Sequence, residues 1–176
     1  MKKFALIFAM IAIVCVSCEE ALLGLAFDYE YTFDAPIPGP LESDKVYTFK
    51  TEAIENNVSE ELAQRQLKLL DKASIKDVTL SLDPEGNQDF SSLKFVNIYL
   101  VTDTEEVLIA SRENTTGSDF VDARKISLNL SSKVNDVAFL LESSELVVKY
   151  EYALIETEET GFDIDVTMIA KVFGKI

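Results

Sequence analysis

Polar and apolar residues alternate strictly from Phe27 to Phe33. Phe27, Tyr29, Tyr31 and Phe33 fall on one face and Asp28, Glu30 and Thr32 on the other, the pattern of a strand with one side buried. Lys45 to Ile54 alternates too, with Tyr47, Phe49 and Ala53 predicted to face inward. Strand-like runs follow at Lys76–Leu82, Leu93–Thr102, Val107–Arg112, Lys125–Leu130, Leu146–Glu156 and Phe162–Phe173, which brings the expected strands to eight. The run Phe95–Val101 is apolar on both faces, as in the middle of a sheet. The last two strands, joined through Glu158-Glu159-Thr160-Gly161, read as a C-terminal hairpin.

Three segments break this period of two. Asn57-Val58-Ser59-Glu60 has the form of a helix start, the asparagine capping free amides and the glutamate reaching back. Val58, Leu62, Leu69 and Ala73 then recur at three- to four-residue spacing, predicting one amphipathic helix over about 58–72 that packs on the core. Val134, Val137, Ala138 and Leu141 predict a short covering helix within Ser132–Glu142. Asp34 to Pro40 has three prolines that cannot donate backbone hydrogen bonds, so it reads as a crossing between two sheets rather than a docking ligand. The sum is an all-β fold: an eight-stranded antiparallel β-sandwich, immunoglobulin-like or jelly roll, with one amphipathic helix and one short covering helix, forming a single domain over 27–176.

The N-terminal residues follow neither period. Met1-Lys2-Lys3 precedes an apolar run, Phe4 to Val16, of 13 residues, and Ser17-Cys18-Glu19-Glu20 follows. A helix crossing ~30 Å of hydrocarbon needs about 20 residues, so 1–17 is expected to be a cleaved export signal and not a permanent span. Of the two cysteines, Cys18 follows small Ser17 and Cys15 follows bulkier Val14, which makes Cys18 the expected lipidation site. Cys15-Val16-Ser17-Cys18 resembles the lipobox of bacterial lipoproteins, with Cys15 where leucine is usual. That resemblance implies palmitate-like acyl chains on Cys18 and attachment to the bacterial outer membrane, facing the periplasm or the surface. Glu19-Glu20 resembles the acidic signal that sends some lipoproteins of the Bacteroidota to the cell surface. Each buried methylene contributes ~0.8 kcal/mol, so two or more chains hold firmly where one holds marginally. Residues 18–26 form a short tether with one glycine and no proline, which at ~3.4 Å per residue spans at most about 30 Å.

Charge narrows the partners. The chain has 16 basic and 31 acidic residues, a net charge of −15, and loss of Lys2 and Lys3 with the signal leaves 14 bases and −17. Such a field repels phosphate backbones, which argues against nucleic acid and against direct docking on anionic lipid headgroups. Yet 48% of residues are hydrophobic, far too many for a disordered acidic tail. The 159 residues after the signal suffice to bury ~70% of the unfolded surface, and with Cys18 lipidated no disulfide can form.

Most chemistry is missing. There is no histidine, which removes the usual general base and the triads built on it. Zinc lacks soft ligands, and six glycines leave none to spare for a phosphate loop. Asp83, Glu85, Asn87 and Asp89 alternate in one loop and are a weak calcium candidate. Glycine falls fourth and Lys94 twelfth, unlike an EF-hand, so a plain turn is expected, with no metal or cofactor. Asn57, Asn114 and Asn129 head glycosylation acceptor patterns, and the expected bacterial lipoprotein signal argues against their use. Tyr29, Tyr31, Tyr47, Tyr99, Tyr150 and Tyr152 all lie in expected strands and are assigned to packing before sugar stacking.

From about residue 60 to 176 the chain also resembles envelope β-sandwich proteins of the Bacteroidota, through Ile75-Lys76-Asp77-Val78, Leu80-Ser81-Leu82, Asp83-Pro84-Glu85-Gly86-Asn87, Phe90-Ser91-Ser92-Leu93, Val96-Asn97-Ile98-Tyr99-Leu100 and Val107-Leu108-Ile109-Ala110. The resemblance implies a fold and no active site. The expected function is therefore non-enzymatic: a membrane-anchored envelope protein with a structural or protein-interaction role and an envelope protein as partner. A module binding a glycan or small molecule is the alternative.

Overall fold

A computed structural model describes residues 25–83, 88–102, 105–117 and 119–176. Two antiparallel sheets face each other. The first has the order β1 (Leu25–Asp34), β10 (Ile164–Lys175), β4 (Leu69–Leu82) and β7 (Lys125–Ser127). The second has the order β2 (Val46–Lys50), β9 (Glu145–Leu154), β5 (Leu93–Val101), β6 (Glu106–Glu113) and β8 (Asn129–Leu130), with β3 (Ile54–Glu55) also pairing with β9. The expected sandwich is present, and two of its eight strands are each divided: Lys45–Ile54 into β2 and β3, Lys125–Leu130 into β7 and β8. The second division is a change of sheet. β7 pairs with β4 and β8 with β6, and between them the buried Leu128 donates its amide to the Val78 carbonyl at 2.8 Å.

The pairing is nested: β1 with β10, β2 with β9, β4 with β7 and β5 with β6. A chain doubled into one long hairpin and then rolled into two sheets has this order, so of the two expected sandwiches it is the jelly roll. The nesting corrects the C-terminal hairpin: β9 and β10 lie in opposite sheets. Residues 155–163 cross between the sheets instead, alongside 35–41. Ile37 and Phe162 exchange both backbone bonds at 2.8 Å, and Leu41 and Glu158 do so at 2.8 and 2.9 Å. Ala35 donates to the Ile164 carbonyl at 2.7 Å, so on this crossing the donors are Ala35, Ile37 and Leu41, and Pro36, Pro38 and Pro40 occupy the positions whose missing N–H costs the ladder nothing. The two crossings touch at glycines, for a Cβ on Gly161 would stand 1.9 Å from the Ile37 carbonyl oxygen and one on Gly39 would stand 2.6 Å from the Gly161 nitrogen.

The amphipathic helix is shorter than expected. α1 spans Val58–Gln64 and buries Val58 and Leu62. Gln66 adopts the left-handed conformation, φ 62°, and the amides of Gln66 and Leu67 turn back to the carbonyls of Ala63 and Leu62, which stops the helix. Leu69 and Ala73 belong to β4. Their four-residue spacing does not put them on one face, because Leu70 pairs with Gly174 and Lys72 with Phe173, leaving Asp71 over, so that Leu69 is exposed and Ala73 buried. A second bulge leaves Lys76 over between the pairs Ile75–Ala170 and Asp77–Ile169, so the inward run Ala73, Ile75, Val78, Leu80 and Leu82 slips phase once. Asn57 does not cap the helix with its side chain; Asn56 takes that part. The covering helix is a 3-10 turn, Ser132–Asn135, followed by α2 (Ala138–Leu141), which bury Val134, Leu140 and Leu141.

The core lies between the sheets. Tyr31, Phe33, Ile98, Leu100, Val148, Tyr150, Tyr152, Val166 and Met168 are buried there, and Tyr152 stacks on Tyr47 and Phe49 with centroids 5.6 and 5.8 Å apart. At the near end of the body β1 and β4 begin and β10 finishes; at the far end the 35–41 and 155–163 crossings run. Gly161→Ala is expected to force the crossings apart and lower the unfolding free energy by about 3 kcal/mol, read from urea denaturation. An unchanged midpoint would contradict this packing.

Candidate functional site

One flank of the sandwich stays open. β1 is an edge of the first sheet and β2 an edge of the second, and between them runs a groove of about 870 Å³. Phe33, Phe49 and Tyr150 line it within a rim of Asp34, Lys50, Glu52 and Asp163. The alternation of β1 that buries Phe33 turns Asp34 outward. On the opposite wall Thr51 interrupts the ladder: its amide donates to the Val148 carbonyl at 2.9 Å while its hydroxyl accepts the Val148 amide at 3.1 Å. Ala53, expected to point into the core, is therefore exposed on the groove wall beside Glu52.

The floor is held rigidly. Phe49 stacks on Tyr150 with centroids 5.7 Å apart, and the Tyr150 hydroxyl donates to the Pro36 carbonyl at 2.9 Å. Beyond the groove, Asn56 ties the two sheets together. Its Oδ1 accepts from the Tyr31 hydroxyl at 2.8 Å and from the Val58 amide at 3.3 Å, and its Nδ2 donates to the carbonyls of Leu141 and Ser143 at 2.8 and 2.6 Å. Every hydrogen-bonding position of this buried amide is thus occupied. Burial, with Tyr29 beside it, pushes the Tyr31 phenol far up, so it remains a donor. Tyr152 differs: its hydroxyl is buried with no hydrogen-bond partner among the described residues.

The outer face of the second sheet carries a charge network, which Lys50 joins with its Nζ 3.6 Å from Glu106 Oε1. Lys149 Nζ donates to Glu106 Oε2 at 2.5 Å and Glu151 Oε1 at 3.1 Å and lies 4.0 Å from the Tyr99 ring centroid. Tyr99 in turn donates to Glu151 Oε2 at 2.9 Å. Tyr99 is the tyrosine that faces away from the core, and this network occupies it. The Lys149 hydrogen bond holds Glu106 below its ordinary value. Glu151 is lowered as well: burial opposes the shift, but the bonds from Lys149 and Tyr99 outweigh it. Lys149 is raised, chiefly by its bond to Glu106.

The residues singled out in the sequence do not converge. Cys18, the signal and the Glu19-Glu20 pair lie outside the described residues, as do Glu85 and Asn87 of the calcium candidate. Asp83 and Asp89 flank them, and Asp89 accepts the Ser91 amide at 2.8 Å as a turn residue does. Among the described residues no group of three or more His, Cys, Asp or Glu is placed to hold a metal ion. Asn114 is buried, its Nδ2 donating to the Leu93 carbonyl at 3.2 Å and its Oδ1 accepting the Asp119 amide at 3.1 Å. Leu25 and Ala26, read as the end of a tether, lie in β1. Among the described residues no helix is long and apolar enough to cross a membrane. The groove itself was not legible in advance: Phe33, Phe49 and Tyr150 each read as ordinary inward strand positions.

No family model matches the chain, and no curated protein does. Three solved structures are similar in outline: the acid-stable capsid of Helicobacter pylori bacteriophage KHP30 (10% identity, 86% of this chain and 100% of that one, TM-score 0.36), FLHE (5%, 85% and 98%, 0.32) and Desmodium yellow mottle tymovirus (9%, 86% and 90%, 0.27). At these TM-scores the likeness carries no argument about function.

Two expectations follow from the polar contacts. Tyr31→Phe removes a satisfied bond to Asn56 and should cost about 1 kcal/mol, whereas Tyr152→Phe removes an unpartnered hydroxyl and should leave stability unchanged or slightly raised; urea midpoints of the two variants decide it. The second concerns pH. Glu106 and Glu151 lie below the ordinary 4.5 and Lys149 above the ordinary 10.5. The carboxylates therefore stabilise fully above 4.5 and lose their contribution as pH falls through the lower folded values. Lys149 contributes fully below 10.5 and loses it as pH rises past its folded value. The deficit of Lys149→Met against wild type, measured by urea unfolding across pH, should be flat near neutrality and shrink in acid.

Proposed function

We propose that this chain is an envelope lipoprotein, anchored through acylated Cys18, that binds another protein and catalyses no reaction. The observation that favours binding is the flank groove, where an aromatic floor fixed by Tyr150 and Pro36 lies under a rim carrying Asp34, Glu52 and Asp163 against one lysine, Lys50. Apolar area supplies affinity in such a cleft, and the acidic rim selects a partner segment bearing positive charge. The chain lacks histidine, which fits a site that recognises rather than transforms. A glycan is the second reading, because rings flanked by carboxylates also suit sugars.

Metabolic labelling with an alkyne-bearing palmitate is expected to mark the wild-type protein, and Cys18→Ser is expected to be unlabelled and to leave the detergent phase. A photo-crosslinker at Glu52 should give a defined protein adduct in intact cells, while one at Ser81, on the outer face of the first sheet, should not. Unlabelled wild-type protein would overturn the anchor. Retention on a glycan array without any protein adduct would replace the partner by a sugar.

A further inference from the structure

The near end of the sandwich differs from the rest of its surface. Leu25, Leu69 and Ile176 are 58%, 65% and 62% exposed, and they lie at one end of the sheet: Leu25 pairs with Gly174 on the face that carries Phe27, Leu69 pairs with Lys175 on the opposite face, and Ile176 is next in the chain. Phe173 lies in the following row, between Ala26 and Lys72. Basic residues surround these side chains. The Lys68 amide donates to the Lys175 carbonyl at 2.7 Å, Lys171 Nζ stands 5.3 Å from the Phe173 ring, and Arg65 stands 4.3 Å from the Phe27 ring.

Nearby acids neutralise only part of this charge. Asp71 pairs with Lys175, Glu61 with Arg65 and Asp28 with Lys76. Lys68, Lys72 and Lys171 have no ion pair among the described residues. A chain of net charge −15 thus presents unpaired lysines around exposed leucine and isoleucine at the end where β1 begins. Apolar side chains ringed by lysines match a bilayer interface, where the former enter the headgroup–acyl boundary and the latter lie over anionic headgroups. Two copies meeting through this end would set lysine against lysine.

We propose that the near end docks on the bilayer surface, Leu25, Leu69 and Ile176 inserting and Lys68, Lys72 and Lys171 contacting anionic headgroups. The inference rests on the Cys18 anchor, from which the seven residues 18–24 reach at most about 25 Å to Leu25. It also revises the expectation drawn from net charge, which averages over a surface whose charges are segregated.

The chain has no tryptophan, so one introduced indole reports its own surroundings. Full-length acylated Leu69→Trp, and Val121→Trp as an exposed position away from the near end, would be placed in phosphatidylethanolamine and phosphatidylglycerol vesicles with brominated acyl chains. Emission of Leu69→Trp is expected to fall about twofold, as for a side chain 5–10 Å into the interface, and that of Val121→Trp to stay constant. Adding Lys68→Gln, Lys72→Gln and Lys171→Gln should weaken the quenching of Leu69→Trp. Acylated protein with Leu69→Trp unquenched would overturn the docking face while leaving the anchor intact. Quenching of protein whose Cys18 proves bare by mass would uphold the docking face and overturn the anchor. Shielding of Leu69→Trp by dimerisation in detergent, without lipid, would make the end a self-association surface and overturn the inference.

Discussion

The ladder between the chain's first and last thirds is what the remainder of the molecule depends on. Leu25 pairs with Gly174 and Asp34 with Asp165, and the same two arms stay bonded through the crossing at Ile37–Phe162 and Leu41–Glu158. From there they continue as β2 and β9. Each inner pair is enclosed by an outer one, so the two sheets are faces of one doubled ribbon. Closing loops of this length costs only slightly more than closing shorter ones, but such non-local pairing folds slowly. Burial of the aromatic stripe from Tyr31 to Tyr152 between the faces offsets that entropy.

Much of this was legible because a half-buried strand must alternate. Alternation alone gives β1, β5 and β6 boundaries close to those observed, and the prolines of 36–40 mark a crossing. What misled had local physical causes. Leu69 and Ala73, four residues apart on either side of the irregularity at Asp71, mimic the continuation of a helix that Gln66 has already ended, and the bulge at Lys76 then shifts the rest of β4 out of phase. Hairpin and crossing have the same turn-forming composition around Gly161, and only the partner strands distinguish them. The switch at Leu128 left no mark in the pattern, since both halves of 125–130 alternate with the same period.

The surface was less legible, because its features are assembled from remote segments. The groove draws Phe33, Phe49 and Tyr150 from three strands, and it exists because Thr51 bends the chain away from the ladder. The basic end joins Lys68 and Lys72 to Lys171 across the β4–β10 register, and a summed charge of −15 conceals it. The two features divide the body into an acidic flank, where we propose a cationic partner, and a basic apolar end, where we propose lipid. A tether reaching that end would leave the flank open to the surrounding compartment.

Neutron reflection from the acylated protein on a supported bilayer tests this arrangement most directly. Protein density beginning at the headgroups, with no intervening water layer, is the expected profile. A hydrated gap of up to about 25 Å, the reach of an extended tether, would contradict it.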